Sequence, residues 1–197
     1  MKRLFDLFFS AMGLLVCTIP FFILAVAIKI DFAGPVFFRQ IRVGKNGRVF
    51  RIHKFRSMIV KQPADATDIT VGDDNRITRT GAWIRRWKVD ELAQLIDVFI
   101  GNMSLVGPRP EVPKYVALYP EQTRRVVLSV KPGITDLASI RFRNENDMLA
   151  QAADPEQTYR EKILPEKLRL QMDYVQTQTF LGDVRILYAT VLVILRK

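Results

Sequence analysis

An α+β fold is expected, mostly helical, sitting on a membrane surface. It should carry a small β-hairpin and an N-terminal re-entrant membrane helix. Three observations lead there. Leu7 to Ile28 is a run of 22 residues with no formal charge, interrupted by Pro20. Val36 to Met58 alternates apolar and basic residues on both sides of Gly-Lys-Asn-Gly, the pattern of two strands joined by a tight turn. Downstream segments repeat apolar residues at helical spacing. The chain divides accordingly into a membrane helix over 1–33 and a cytoplasmic domain over 34–197 with interfacial amphipathic helices.

The first element sets the rest. Unbroken, a 22-residue helix is about 33 Å long and just crosses the roughly 30 Å hydrocarbon core. A proline in a helix interior removes one hydrogen bond and clashes with the preceding turn. Broken at Pro20, the arms measure about 20 Å and about 12 Å, and neither spans. The segment is expected to dip into one leaflet and return, with a single span as the alternative. Both flanks are basic: Lys2 and Arg3 before, Lys29, Arg39 and Arg42 after. Such residues favour the cytoplasmic side and anionic headgroups, at about 1 kcal/mol each.

After the hairpin, Pro63 to Asn75 is polar, acidic and turn-rich, a loop. Thr80 to Arg86 and Asp90 to Ile100 read as helices. In the second, Leu92, Leu95, Ile96 and Phe99 share a face, Asp90 suits the N-cap, and Gly101-Asn102 ends it. Gly107 to Pro110 is a rigid turn, because each proline fixes its own φ and restricts its predecessor. Val112 to Leu128 gives short helices broken at Pro120. Lys131-Pro132-Gly133 turns into a strand-like run to Arg143. Glu145 to Lys162 is polar and helical, and Lys167 to Lys197 is helical with an apolar end too short to span.

Composition narrows the chemistry. Cys17 is the single cysteine and His53 the single histidine, so neither a disulfide framework nor a His/Cys zinc cluster can be built. The net charge of +10 is concentrated: residues 1–61 hold eleven Lys or Arg against Asp6 and Asp31. The apolar segment is long for a signal peptide and lacks a small-residue cleavage pattern, so it is read as retained.

Asp90-Glu91 is the clearest chemical feature. Paired carboxylates at a helix start, after Arg79, Arg85, Arg86 and Lys88, suit a nucleophile or a Mg²⁺ ligand, because negative charge is favoured there. Taken alone, the pair is equally an N-cap and a dipole partner, and that reading leads. Lys54, Arg56, Arg85, Arg109 and Arg143 could assemble an anion site. Gly-Lys-Asn-Gly is a hairpin turn rather than a phosphate loop. His53 is a strand residue rather than a base. Basic strands interleaved with Phe37, Phe38, Phe50 and Phe55 could bind single-stranded nucleic acid, but the adjacent apolar segment argues for no nucleic acid. Two further rivals are a membrane-bound phosphatase or nucleotidyl transferase, and a membrane-tethered scaffold.

Seven ordered strings settle the choice: KRLFDLFFS, the apolar segment around Pro20, GPVFFRQIRVGKNGRVFRIHKFRSM, RITRTGAWIRR, DELAQL, GNMSLVGPRPE and VKPGIT. Together, over roughly residues 2–135, the chain resembles the bacterial sugar transferases, the small monotopic polyprenyl-phosphate phosphoglycosyl transferases. The resemblance implies transfer of a sugar 1-phosphate from a UDP-sugar to a polyprenyl phosphate such as undecaprenyl phosphate, releasing UMP, with Mg²⁺. It implies Asp90 as the nucleophile that carries the phosphosugar, and Glu91 as the residue that holds Mg²⁺ or positions phosphates. Lys54, Arg56, Arg85, Gln94, Arg109 and, more loosely, Arg143 are carried over as substrate-binding residues. The implied setting is the cytoplasmic face of a bacterial inner membrane, among membrane lipids, at the start of a glycoconjugate pathway. A homodimer is left open. The chain departs from the pattern in Trp87-Lys88-Val89 before the Asp, in Ala93, and in Ile19 before Pro20.

Overall fold

The computed structural model describes residues 1–59 and 76–195. The expected loop from Pro63 to Asn75 lies outside the described residues. Helix α1 (Lys2–Asp31) is followed by four short strands, β1 (Phe37–Phe38), β2 (Ile41–Val43), β3 (Val49–Arg51) and β4 (Lys54–Phe55). Then come α2 (Arg79–Arg86), a 3₁₀ segment (Val89–Gln94) continuing into α3 (Leu95–Ile100), and β5 (Ser104–Val106). The remainder is α4 (Pro113–Val116), α5 (Glu121–Val127), β6 (Gly133–Thr135), α6 (Leu137–Arg141), α7 (Glu145–Ala150) and α8 (Pro155–Thr158). A π-helical turn (Tyr159–Ile163) leads into α9 (Leu164–Thr177), and α10 (Phe180–Leu195) follows. The fold is α+β and mostly helical, as expected.

The hairpin forms where the alternation places it. β2 and β3 pair antiparallel with Ile41 opposite Arg51 and Val43 opposite Val49. β1 and β4 pair antiparallel as a separate two-stranded sheet, Phe37 opposite Phe55. The turn works because Asn46 and Gly47 both take positive φ, 56° and 77°, a conformation these two residue types adopt most readily.

β5 and β6 pair in parallel, Ser104 opposite Gly133 and Val106 opposite Thr135. Here two glycines permit close backbone approach: a Cβ on Gly133 would lie 2.1 Å from the Gly107 nitrogen. The strand-like run expected to Arg143 is only three residues long. Asp136 ends it by capping α6, its Oδ1 accepting from Ser139 N at 2.6 Å. The single polar helix expected from Glu145 to Lys162 is also divided, because Asp154 caps a new start at Pro155.

α1 runs as one helix through Pro20, about 45 Å long at 1.5 Å per residue. No non-helical turn separates two arms. Both ends are fastened to the domain. Asp6, buried, accepts from Ser104 Oγ at 2.8 Å and Leu105 N at 3.0 Å. Arg3 reaches the carbonyls of Val98 and Phe99 at the end of α3. Lys2 pairs with Asp183 of α10 and donates to Val106 O at 2.9 Å. At the other end Leu24 and Ile28 pack into a cluster with Phe55, Ile84 and Ala93, and Thr80 N donates to Asp31 Oδ2 at 2.9 Å. Tying both sides of Pro20 to one body offsets the bond the proline cannot make.

The opposite side of α1 is bare: Leu15, Val16, Ile19, Phe22, Ile23 and Ile30 are all exposed. Among the described residues α1 is the one helix long and apolar enough to cross a membrane, and only 11% of its most apolar stretch is buried. A core helix would be covered. Two further clusters complete the interior, one around Tyr115, Leu149, Tyr159 and Ile163, the other around Val98, Met103, Val106 and Tyr174.

Candidate active site

Residues from distant parts of the chain meet around a cavity of about 500 Å³. β4 delivers Lys54, α2 delivers Arg85, and the 3₁₀ segment delivers Asp90 and Glu91. The Gly107–Pro110 turn delivers Arg109, and the stretch after α6 delivers Arg143.

Asp90 is not the N-cap. Lys88 takes that position with φ 55° and ψ 23°, and no side chain caps the segment. A non-glycine residue held left-handed costs about 1 kcal/mol, and such residues cluster at functional sites. Asp90 is only 3% exposed. Its Oδ2 lies 2.8 Å from Lys54 Nζ, and its Oδ1 has no hydrogen-bond partner among the described residues.

Glu91 is held differently. Arg109 grips it with both guanidinium nitrogens, Nη1 at 3.0 Å from Oε2 and Nη2 on Oε1, and Lys54 Nζ stands 3.4 Å from Oε1. Burial pushes this carboxyl up, but the Arg109 and Lys54 charges outweigh it and hold it far below the usual carboxylate range. The same pairing raises Arg109 above its ordinary value against burial. Adjacent carboxylates therefore divide: one fully paired, one with an open oxygen.

Not every expected residue joins the site in the expected way. Arg56 touches the cavity wall, but its guanidinium is engaged on the carbonyls of Ala33, Phe32 and Ile28, closing the end of α1. Arg56 is thus a helix-end clamp. Gln94 is 1% exposed and packs in the interior rather than on the cavity. His53, as expected, is structural: its backbone N–H donates to Asp97 Oδ2 at 2.7 Å and Nδ1 lies 2.9 Å from Oδ1. Pro20 is remote, within α1.

The structure also brings in residues that sequence reasoning did not assign. Arg42, on the hairpin, donates to Pro110 O at 2.9 Å and buttresses the turn that carries Arg109. Burial pushes Arg42 below its ordinary value. Lys167 and Gln171 of α9 and Ser139 of α6 line the far wall. The alternation of the hairpin could have flagged Arg42. Nothing local flags the others, which lie 49 to 81 residues from Asp90.

The arrangement gathers Lys54, Arg85, Arg109 and Arg143 on one cavity with two carboxylates, one of which keeps an oxygen without a hydrogen-bond partner among the described residues. That suits binding of a polyanion and attack on it.

Comparison with known proteins agrees with the geometry. The sequence profile described as "Bacterial sugar transferase" matches residues 1–197. The chain is 38% identical over 193 residues to "Uncharacterized sugar transferase EpsL" of Bacillus subtilis, covering 97% of this chain and 85% of that one. It is 38% identical to "Exopolysaccharide production protein PSS" of Rhizobium leguminosarum, covering 97% and 93%. It is 32% identical to the "UDP-glucose:undecaprenyl-phosphate glucose-1-phosphate transferase" of Escherichia coli, where it covers 97% of this chain but 39% of that longer protein. A profile match over the full length, with the paired carboxylates and their cations assembled in one cavity, shows that the chain belongs to the bacterial sugar transferase family.

Proposed function

We propose that this chain moves a sugar 1-phosphate from a UDP-sugar to a polyprenyl phosphate such as undecaprenyl phosphate, releases UMP, and so starts a surface glycan. The observation that carries the reading is the unpartnered Oδ1 of buried Asp90, whose other oxygen pairs with Lys54, in a cation-lined cavity. Relatives named for UDP-glucose and undecaprenyl phosphate support the substrate pair.

In the first half-reaction Asp90 Oδ1 attacks the phosphorus that bears the sugar. A phosphorus–oxygen bond forms to Asp90, the bond to the UMP oxygen breaks, and UMP leaves with the electron pair. In the second, an oxygen of the lipid phosphate attacks the same phosphorus and the bond to Asp90 breaks. Lys54 screens Asp90 against the incoming negative charge. Arg109, fixed by Glu91, and Arg85 and Arg143 on the walls face the diphosphate and stabilise charge that develops on its oxygens.

The donor set fits Mg²⁺ in its usual form, one or two carboxylates with the remaining positions taken by substrate phosphates and water. Asp90 and Glu91 are the two carboxylates that would hold it. Among the described residues no three His, Cys, Asp or Glu side chains form a metal cage. When bound, the ion supplies positive charge to the phosphate oxygens.

The bare apolar side of α1 supports seating on the cytoplasmic face of a bacterial inner membrane, with the domain flat on the headgroups. Unbroken and held at both ends by one domain, the helix would lie along that face with its bare side toward the acyl chains. Asp90 then sits beside the lipid phosphates it serves.

Asp90→Asn tests the reading. Wild-type protein given UDP-sugar labelled in the sugar, without lipid, should retain label covalently and release UMP. Asp90→Asn should retain none and lose UMP release by about 10³-fold or more. Full turnover by Asp90→Asn, or release of inorganic phosphate in place of UMP, would overturn it.

A further inference from the structure

We infer that Gln171, with Ser139 beside it in sequence-distant α6, reads a hydroxyl of the sugar being transferred. The inference rests on the reaction proposed above.

Gln171 lines the same cavity as Asp90 and is 3% exposed. Its amide is oriented by Asp136, itself fully buried. Gln171 Nε2 donates to Asp136 Oδ2 at 3.0 Å. That carboxyl already accepts from Arg109 N at 3.1 Å and, through Oδ1, from Ser139 N at 2.6 Å. An acceptor cannot face acceptors, so the amide nitrogen must point at Asp136 and the carbonyl oxygen away from it. Gln171 Oε1 then has no partner among the described residues, and neither does the buried hydroxyl of Ser139, on the same cavity.

Gln171 Oε1 accepts only and calls for a ligand that brings a hydrogen-bond donor, while the Ser139 hydroxyl beside it can accept or donate. Phosphate oxygens bring only acceptors and would be repelled by Oε1. A neutral ring bearing hydroxyls supplies what is missing, and Ile134 and Ala138 on the same wall offer apolar surface to its carbon face. Asp136 joins the two ends of the substrate. The carboxylate that orients Gln171 also holds the backbone of Arg109, so the wall that reads hydroxyls is registered against the wall that binds phosphate.

The test begins with wild-type protein and a panel of UDP-hexoses and UDP-N-acetylhexosamines, scored by UMP release in the presence of polyprenyl phosphate. The best donor is then compared with its monodeoxy analogues. One analogue should lose about tenfold or more in kcat/KM, because a site built to bond a hydroxyl rejects the compound that lacks it. Gln171→Met, which keeps the length but not the acceptor, should lose a similar factor on the parent donor. It should show no further loss on that one analogue, with KM for polyprenyl phosphate unchanged. Ser139→Ala provides the second variant.

If wild-type protein uses every monodeoxy analogue within about threefold of the parent, Gln171 reads no hydroxyl; this arm needs no variant to fold. If Gln171→Met slows the parent and all analogues by one common factor, its role is structural, and the inference also falls. No UMP from any UDP-sugar would remove the reaction itself and this inference with it.

Discussion

Arg109→Met isolates the grip on Glu91. The change removes two hydrogen bonds to Glu91 and one to Ile134 O at 3.3 Å. Breaking a fully buried ion pair costs about 3–5 kcal/mol, while an exposed pair contributes about 0–1 kcal/mol. Here the side chains are 32% and 19% exposed, and Lys54 remains 3.4 Å from Glu91. The loss should therefore fall between those limits, about 2 kcal/mol. For a chain of this size that lowers Tm by about 4–8 °C.

The pH dependence gives a sharper test of the same idea. Glu91 is held below its unfolded value. Its contribution is therefore complete above the ordinary carboxylate range, and is lost as pH falls through that range toward the folded value. Thermal unfolding by circular dichroism in detergent should show the full gap between wild type and Arg109→Met at pH 7. The gap should narrow from about pH 4.5 downward. A gap that stays flat from pH 7 to pH 3, or a Tm change below 1 °C at pH 7, would refute the reasoning.

Other outcomes follow from single contacts. Asp6→Ala strands the Leu105 N–H and the Ser104 hydroxyl and should cost about 2–4 kcal/mol, read as lower Tm and faster proteolysis near α1. Gly133→Ala drives a Cβ into the Gly107 backbone and should abolish recovery of folded protein. Gly47→Ala meets no atom within 4 Å and should cost only the left-handed strain, about 1 kcal/mol, in the same assay. Arg56→Lys replaces a fork on three carbonyls with one ammonium, so it should lower Tm while leaving KM for the UDP-sugar within about twofold. A large KM change at unaltered Tm would return Arg56 to the substrate.

Much of this was legible before the structure because it rests on local chemistry. The hairpin follows from period-two alternation and Asn46-Gly47, and the helix read over Thr80 to Arg86 is α2, its start fixed by a cap the sequence reading did not name, Thr78, whose hydroxyl accepts from Gly81 N at 2.9 Å. Asp90, Glu91, Lys54, Arg85, Arg109 and Arg143 meet at one cavity because ordered motifs report on a shared fold. What was not legible depends on long-range packing. Arg56 and Arg109 are the same residue type, yet one clamps a helix end and the other faces the cavity, and only the path of α1 decides which. The N-cap expected at Asp90 failed because Lys88 accepts a left-handed conformation that no propensity favours. The strand expected toward Arg143 stopped early because Asp136 caps α6 as well as orienting Gln171. Gln171 gave no local signal at all: a glutamine on a helix becomes informative only when its neighbour's carboxylate is known.

The clasp between Lys2 and Asp183 has a consequence for biogenesis. Residue 2 leaves the ribosome long before residue 183 exists, so this contact closes after those that α1 makes with residues 55–106. A chain cut short before Asp183 should therefore be captured by quality-control proteases rather than accumulate as a stably seated fragment.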